Sequence, residues 1–352
     1  MSAVTGTVRF CRLADGSRVA SSTLGAGRPL VMVPGWLCHL EENWRHPAAA
    51  SARAKLSSSH RFVWYDRLGC GLSDREGFEL SLDNDVEQLV AVLDVAEISK
   101  TSLIGYSFGV PPAVAFAARF PERVDRLVLY SGFARGSAMM PAETLEAVLQ
   151  MIKADWPMAS QLLATRMVPN ASSKDLRWFD RFQQVAAAPG MAAQLLAHTW
   201  AMDVRDLLPQ IRAPTLVAHN RDDQTIPWTA GQEIADLVPG ADLHLLEGNE
   251  HDPFIRDSGS VVEAILDFVG GRPIAPASRP APAKDLTPRE REVLHLIASG
   301  ATNETIASRL GIAGKTVERH VTNLYRKLGA GGRADATRCA VAMELVSPDA
   351  IV

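Results

Sequence analysis

Short runs of apolar and β-branched residues recur along most of the chain, each bounded by turn residues. They fall at Thr7–Leu13, Arg18–Leu24, Leu30–Val33, Phe62–Tyr65, Ser102–Ile104, Leu127–Tyr130, Thr215–Ala218 and Leu243–Leu246, and each predicts a strand. Between them the apolar positions shift to a spacing of three and four. That period predicts amphipathic helices at about Leu82–Leu93, Val110–Arg119, Ala230–Leu237 and Val261–Phe268. Strand then helix, repeated, implies a mostly parallel sheet with helices on both faces. Asp15-Gly16 separates the first two runs and is a hairpin signal, so the sheet should begin antiparallel.

From Pro141 to Leu208 the alternation stops and only helical spacing remains. The stretch is rich in large apolar residues: Met151, Trp156, Met158, Met167, Trp178, Phe179, Phe182, Met191, Trp200 and Met202. A helical insertion after the sixth strand, about 135–208, should sit as a cap over the carboxyl ends of the strands. Most of these side chains should pack helix on helix. A few should line an apolar pocket, with Met151, Trp156, Trp178 and Trp200 as candidates.

Gly270–Ala283 carries four prolines and no long apolar run, which predicts a stiff, extended linker over 270–284. It divides a body, 1–269, from a tail, 285–352. The tail reads as helices. Thr287-Pro288-Arg289-Glu290 is a capping box that opens a helix with Val293, Leu294, Ile297 and Ala298 inward, stopped by Gly300. Thr302 caps a second helix with Ile306, Ala307 and Leu310 inward, stopped by Gly311. A third, about Lys315–Leu328, turns Val317, Val321, Leu324 and Leu328 inward, and a fourth spans about Arg333–Val346.

Two short helices at a tight glycine turn match a helix-turn-helix, whose second helix lies in the major groove of duplex DNA. On the third helix Lys315, Glu318, Arg319, Thr322 and Arg326 point outward. Arg319 suits bidentate reading of guanine, and Glu318 suits acceptance from cytosine. Lys315, Thr316, Asn323, Arg326 and Lys327 are candidates to hold phosphates, and His320 lies on the same helix.

Charge supports this division. The net charge is −4, yet Arg309–Arg333 holds six basic residues and one acid, Glu318. A basic stretch on an acidic protein fits a phosphate-facing surface. With 352 residues, 47% of them hydrophobic, two domains with sizeable cores are expected. No apolar run is long enough to span a membrane, and Met1–Phe10 lacks the basic start and apolar stretch of a secretory signal, so a cytoplasmic protein is expected. Cys11, Cys38, Cys70 and Cys339 lie in no metal-like or disulfide-like spacing and read as free thiols; no metal or other cofactor is expected.

The body carries a nucleophile elbow, Gly105-Tyr106-Ser107-Phe108-Gly109, led in by a strand and out by a helix. Serine needs a base, and the base needs a carboxylate to orient it. Asp223, just past the strand Thr215–Ala218, is the first candidate acid and Asp222 the second. His251, just past Leu243–Leu246, is the candidate base; His219 and His244 fall inside strands and read as packed or surface residues. An oxyanion hole needs backbone N–H donors, for which Phe108 and Trp36 are the candidates. Cys38 and His39 follow Trp36 in the same loop and are candidates to touch ligand.

Residues from about 5 to 269 resemble the α/β-hydrolase superfamily. The resemblance rests on Pro34-Gly35, on Tyr65-Asp66-Arg67-Leu68-Gly69-Cys70-Gly71-Leu72-Ser73-Asp74, on the elbow, on Asp223 and on His251. It implies Ser107 as nucleophile, His251 as base and Asp223 as the residue that orients it. Where members usually have glycine before the histidine, this chain has Glu250, a carboxylate placed to raise the base's pKa or block the pocket.

The tail, Leu286 to about Arg338, closely resembles the LuxR-type helix-turn-helix family. The matching residues are Leu286-Thr-Pro-Arg-Glu-Arg-Glu-Val-Leu294, Gly300, Asn303, Ile306-Ala307, Leu310-Gly311, Lys315-Thr-Val-Glu-Arg-His-Val321, Asn323-Leu324 and Lys327-Leu328. The resemblance implies a dimer through Ala334–Leu345. It also implies a serine cap where Ala313 stands, whose loss should fray the start of the recognition helix.

The expectation is therefore an α/β-hydrolase fold with a helical cap, joined to a small all-α helix-turn-helix domain. It should act as a one-component regulator whose partners are a small apolar ester, lactone or aromatic ligand, double-stranded DNA, a second copy of the chain and RNA polymerase. A serine hydrolase with an appended DNA-binding domain is the alternative.

Overall fold

Eight strands form one sheet: β1 (Thr7–Arg12), β2 (Arg18–Leu24), β3 (Arg28–Val33), β4 (His60–Tyr65), β5 (Thr101–Tyr106), β6 (Val124–Tyr130), β7 (Thr215–Asn220) and β8 (Asp242–Leu246). Every run expected from the sequence is there. The spatial order is β1-β2-β4-β3-β5-β6-β7-β8. β2 runs antiparallel to both β1 and β4, and all later pairings are parallel. The hairpin turns at Gly16, whose φ of +92° explains the glycine. β5 and β7 are buried along their whole length, as parallel strands covered on both faces must be.

The computed structural model describes residues 6–246, 248–252, 254–255, 259–272, 286–328, 336–337, 340 and 345, and divides into two compact units at 277/278. In the first unit α1 (Leu40–Arg45) and α2 (Pro47–Ser57) join β3 to β4. They are followed by α3 (Leu82–Val95), α4 (Val110–Arg119), the cap helices α5 (Ala142–Ala154), α6 (Trp156–Met167), α7 (Ser173–Ala186) and α8 (Pro189–Ala201), then α9 (Trp228–Leu237) and α10 (Gly259–Val269). Helices α3, α4 and α9 cover one face of the sheet with Leu89, Leu93, Phe116 and Ile234. Helices α2 and α10 cover the other with Ala52, Leu56, Val262 and Ile265. Helix α2 escaped prediction because its buried face is Ala49, Ala52, Arg53 and Leu56, which shows no run of large apolar residues.

The second unit holds α11 (Pro288–Ala298), α12 (Asn303–Leu310) and α13 (Gly314–Leu328) around Val293, Leu294, Ile306, Val317 and Leu324. The capping box is formed: Thr287 Oγ1 accepts from Glu290 N at 3.2 Å, and Glu290 Oε2 accepts from Thr287 N at 2.8 Å. Gly311 ends α12 with φ +63°. The first turn of α13 is formed, with the Ala313 carbonyl accepting from Thr316 and Val317 N–H. The linker beyond Arg272, Cys339 and most of the expected fourth helix and dimer segment lie outside the described residues. Ala336 and Ala340 pack on the helical core. Cys11, Cys38 and Cys70 are free thiols. Among the described residues no helix is long and apolar enough to cross a membrane.

Candidate functional site

The turn after β5 places Ser107. Its φ is +53°, a left-handed conformation that costs a non-glycine residue energy. The flanking glycines permit the crowding: a Cβ on Gly109 would stand 2.3 Å from the Val33 carbonyl oxygen, and one on Gly105 would stand 2.9 Å from Ala113 Cβ. Ser107 Oγ lies 2.7 Å from His251 Nε2. His251 Nδ1 lies 2.8 Å from Asp223 Oδ2. All three residues are buried. With the ring proton on Nδ1 directed at Asp223, Nε2 presents a lone pair to the serine hydroxyl.

Asp223 is heavily engaged. Its Oδ1 accepts from Thr225 N at 2.8 Å and Ile226 N at 3.2 Å. Burial works against its charge, but His251 and His219 hold its carboxyl well below the usual carboxylate range. The neighbouring Asp222 is exposed. His219 is fully buried, with Nε2 at 2.9 Å from the Ile226 carbonyl oxygen and 3.5 Å from Asp223 Oδ2. It is packed, as its strand position suggested, yet it also flanks the acid. Its place two residues before the acid loop was the only signal of that. His244 is half-buried, and burial pushes its pKa down.

The loop after β3 lies against the elbow, since a Cβ on Gly35 would stand 3.5 Å from Ser107 Cβ. Trp36 lines the same cavity as Ser107, while Phe108 follows Ser107 in a single 3₁₀ turn over Ser107–Gly109. The Trp36 indole is spent elsewhere, donating to the Ala192 carbonyl at 3.0 Å.

Ser107 opens into a cavity of about 50 Å³. Core residues Trp36, Cys38, Arg53, Trp64, Asp252 and Phe254 line it from below, and cap residues Met167, Trp178, Phe179, Phe182 and Gln183 from above. Of the expected pocket residues, Cys38 and Trp178 are on this lining. Met151, Trp156, Trp200 and His39 are not. Trp156 packs edge-on against Trp36, with ring centroids 6.2 Å apart, and Met151 and Trp200 join the same apolar cluster under the cap. His39 is buried at the start of α1. Spacing identifies a helix's apolar face but not which seam that face enters. Glu250 is also off the lining; its Oε2 is 3.1 Å from where a Cβ on Gly248 would stand, so it folds back over its own loop rather than blocking the cavity.

The cap is tied to both loops that carry the serine's partners. His251 N donates to the Met167 carbonyl at 2.8 Å, and Thr225 Oγ1 to the Arg166 carbonyl at 3.4 Å. Both acceptors lie at the end of α6. Asn170 Nδ2, just beyond, donates to Asn249 Oδ1.

In the second unit Lys315, Glu318, Arg319 and Thr322 are exposed on one face of α13, while Thr316, His320 and Asn323 are half-buried. The Arg326 side chain lies outside the described residues. Lys327 is ion-paired within the unit. Its Nζ is 2.8 Å from Glu290 Oε2, so this ammonium also ties α13 to the start of α11.

The fold and site define an α/β domain with a hydrogen-bonded serine, histidine and aspartate, joined to a helix-turn-helix domain. Comparison with known proteins agrees. The family model "alpha/beta hydrolase fold" matches residues 28–167, and the model "Bacterial regulatory proteins, luxR family" matches residues 284–340. Over 277 residues the chain is 31% identical to 2-hydroxymuconate semialdehyde hydrolase of Pseudomonas sp. (strain CF600), spanning 73% of this chain and 92% of that protein. It is 27% identical over 278 residues to 2-hydroxy-6-oxo-2,4-heptadienoate hydrolase of Pseudomonas putida, spanning 73% and 94%. An esterase from Exiguobacterium antarcticum superposes with a TM-score of 0.68 at 21% identity, over 75% of this chain and 100% of the esterase. The chain belongs to the α/β-hydrolase family and carries, in the same polypeptide, a DNA-binding domain of the luxR family.

Proposed function

We propose that this protein is a ligand-responsive transcriptional regulator. Its hydrolase domain closes on a small apolar ester, lactone or aromatic compound beside Ser107. Occupancy changes how the helix-turn-helix domains of a homodimer meet promoter DNA and RNA polymerase. The observation that carries this reading is the union, in one chain, of a small cavity holding a hydrogen-bonded serine, histidine and aspartate with a luxR-family domain.

The size of the cavity supplies the coupling. About 50 Å³ holds a few waters. Small-molecule pockets run from roughly 300 Å³ upward, so a ligand enters by displacing α6 and α7. The bonds from α6 to the His251 and Asp223 loops carry that displacement into the body of the domain. A ligand biases DNA binding only as far as it prefers one cap position over the other.

The same geometry favours a second reading, a working serine hydrolase. Ser107 Oγ attacks the carbonyl carbon as its proton passes to His251 Nε2. The N–H groups of Trp36 and Phe108 hold the oxyanion, and Asp223 stabilises the imidazolium. His251 then protonates the leaving oxygen, and water releases the acyl group from Ser107. The two readings are compatible if turnover resets the sensor.

A serine-directed fluorophosphonate tests the chemistry: labelling of Ser107 supports the hydrolase, and no labelling argues against it. Ser107→Ala tests the signal. If occupancy is the signal, ligand-dependent DNA binding survives the substitution; its loss would mean that chemistry at Ser107 is required.

A further inference from the structure

Arg53 lies on the buried face of α2 and ends in the cavity that holds Ser107, at 2% exposure. A guanidinium presents five N–H donors in a flat fork. Among the described residues Arg53 uses one of them, Nη1, which donates to the Ala49 carbonyl at 2.9 Å one turn back on its own helix. Nε is buried without a partner. The guanidinium carbon lies 5.6 Å from the centroid of Trp64 and 5.7 Å from that of Phe254. Two aromatic rings thus hold the cation in place and leave most of its donors unspent.

Among the described residues the nearby carboxyl groups do not spend them. Asp252 and Asp66 act on Arg53 through space. Asp252 Oδ1 accepts from Phe254 N at 2.7 Å, and Asp66 Oδ2 accepts from Leu72 N at 2.9 Å and Leu40 N at 3.1 Å. Burial pushes Arg53 down to about 10, which still leaves it charged at neutral pH. A buried cation with unspent donors is costly to keep, and the cost is recovered when an anion of matching shape takes the fork.

We propose that the cavity takes a ligand bearing a carboxylate, which the Arg53 fork holds while the ligand's apolar body lies toward Ser107. The planar bidentate match selects carboxylate, and Trp64, Phe254, Phe179 and Phe182 suit a flat or aromatic body. The proposal rests on the cavity being the ligand site, and it narrows the ligand class from apolar compounds to those with an anionic end.

The test is calorimetric titration of the full-length protein with 3-phenylpropionate and 4-phenylbutyrate, each beside its primary amide, which keeps the shape without the charge. The acids should bind at least about tenfold more tightly than the amides, the usual worth of a charge-assisted bond. Arg53→Met should abolish that preference, and Arg53→Lys, which keeps the charge but not the fork, should retain part of it. Should Arg53→Met fail to fold, the wild-type preference and the Lys variant still decide. Amides that bind as well as acids overturn the Arg53 assignment and leave the pocket reading standing. A preference that persists in Arg53→Met, or acids that bind equally when Ser107 carries a phenylmethylsulfonyl group, place the anion elsewhere and overturn it too. If no acid or amide binds and a fluorophosphonate leaves Ser107 unlabelled, the pocket reading falls and takes the proposal with it.

Discussion

At the scale of single residues, Asp223 and Asp66 are two buried aspartates with opposite consequences. Asp223 is held below the usual carboxylate range by its two histidines, against its burial. A depressed carboxyl contributes stability that is present above about pH 4 and lost as pH falls through its folded value. If the site is catalytic, Asp223→Asn should lower ester hydrolysis by about 10⁴-fold, and Ser107→Ala by at least about 10³-fold, with p-nitrophenyl acetate as the assay. A rate unchanged in both variants would remove this site from any hydrolysis observed. Asp66 runs the other way. Burial pushes its carboxyl up to about 7, despite N–H bonds from Leu72 and Leu40. Folded Asp66 therefore keeps its proton where unfolded Asp66 has lost it. Its contribution is full below about pH 4 and is lost as pH rises through about 7, a loss on the order of a few kcal/mol. Urea unfolding between pH 5 and 8 should show wild type weakening with pH more than Asp66→Asn. Parallel profiles would contradict the assignment.

At the scale of elements, the strands were legible in the sequence because a parallel strand buried on both faces leaves an unbroken apolar run, as Leu127–Tyr130 does. Ser107 and Asp223 were legible because each follows such a strand, and His251 because it follows the edge strand β8, all at the sheet's carboxyl edge where the backbone turns. Helix α2 was not, since alanines bury it without advertising a face. Arg53 was hidden with it, because an arginine on a helix normally reads as solvated. The cap tryptophans announced burial but not destination: Trp178 turned to the cavity, while Trp156 turned to the seam with Trp36. Helix α13 divides in the same manner. Lys315 and Lys327 are both exposed, but Lys327 is bonded to Glu290. In DNA-binding titrations across salt, Lys315→Ala should reduce the slope by about one counterion. Lys327→Met should leave the slope nearly unchanged and lower the melting temperature of the helical unit instead, by the few degrees that about 1 kcal/mol gives in a small domain. Equal effects on the slope would mean that Lys327 also faces phosphate.

At the scale of the whole molecule, the two units make separable contributions. Arg319→Ala should weaken specific DNA binding by about tenfold or more, the worth of one bidentate base contact, with no change in the esterase rate. A matching loss of esterase would mean that the variant disturbs the fold rather than the DNA contact. In the proposed regulator, what happens beside Ser107 is felt at α13. The most direct measurement is the affinity of full-length protein, at low salt, for duplex DNA from upstream of its own gene, with Ser107 free and with Ser107 carrying a phosphonate adduct. The two forms should differ by about tenfold or more, within the range of ordinary allosteric coupling. Identical affinities for the two forms, or no binding by either, would contradict it.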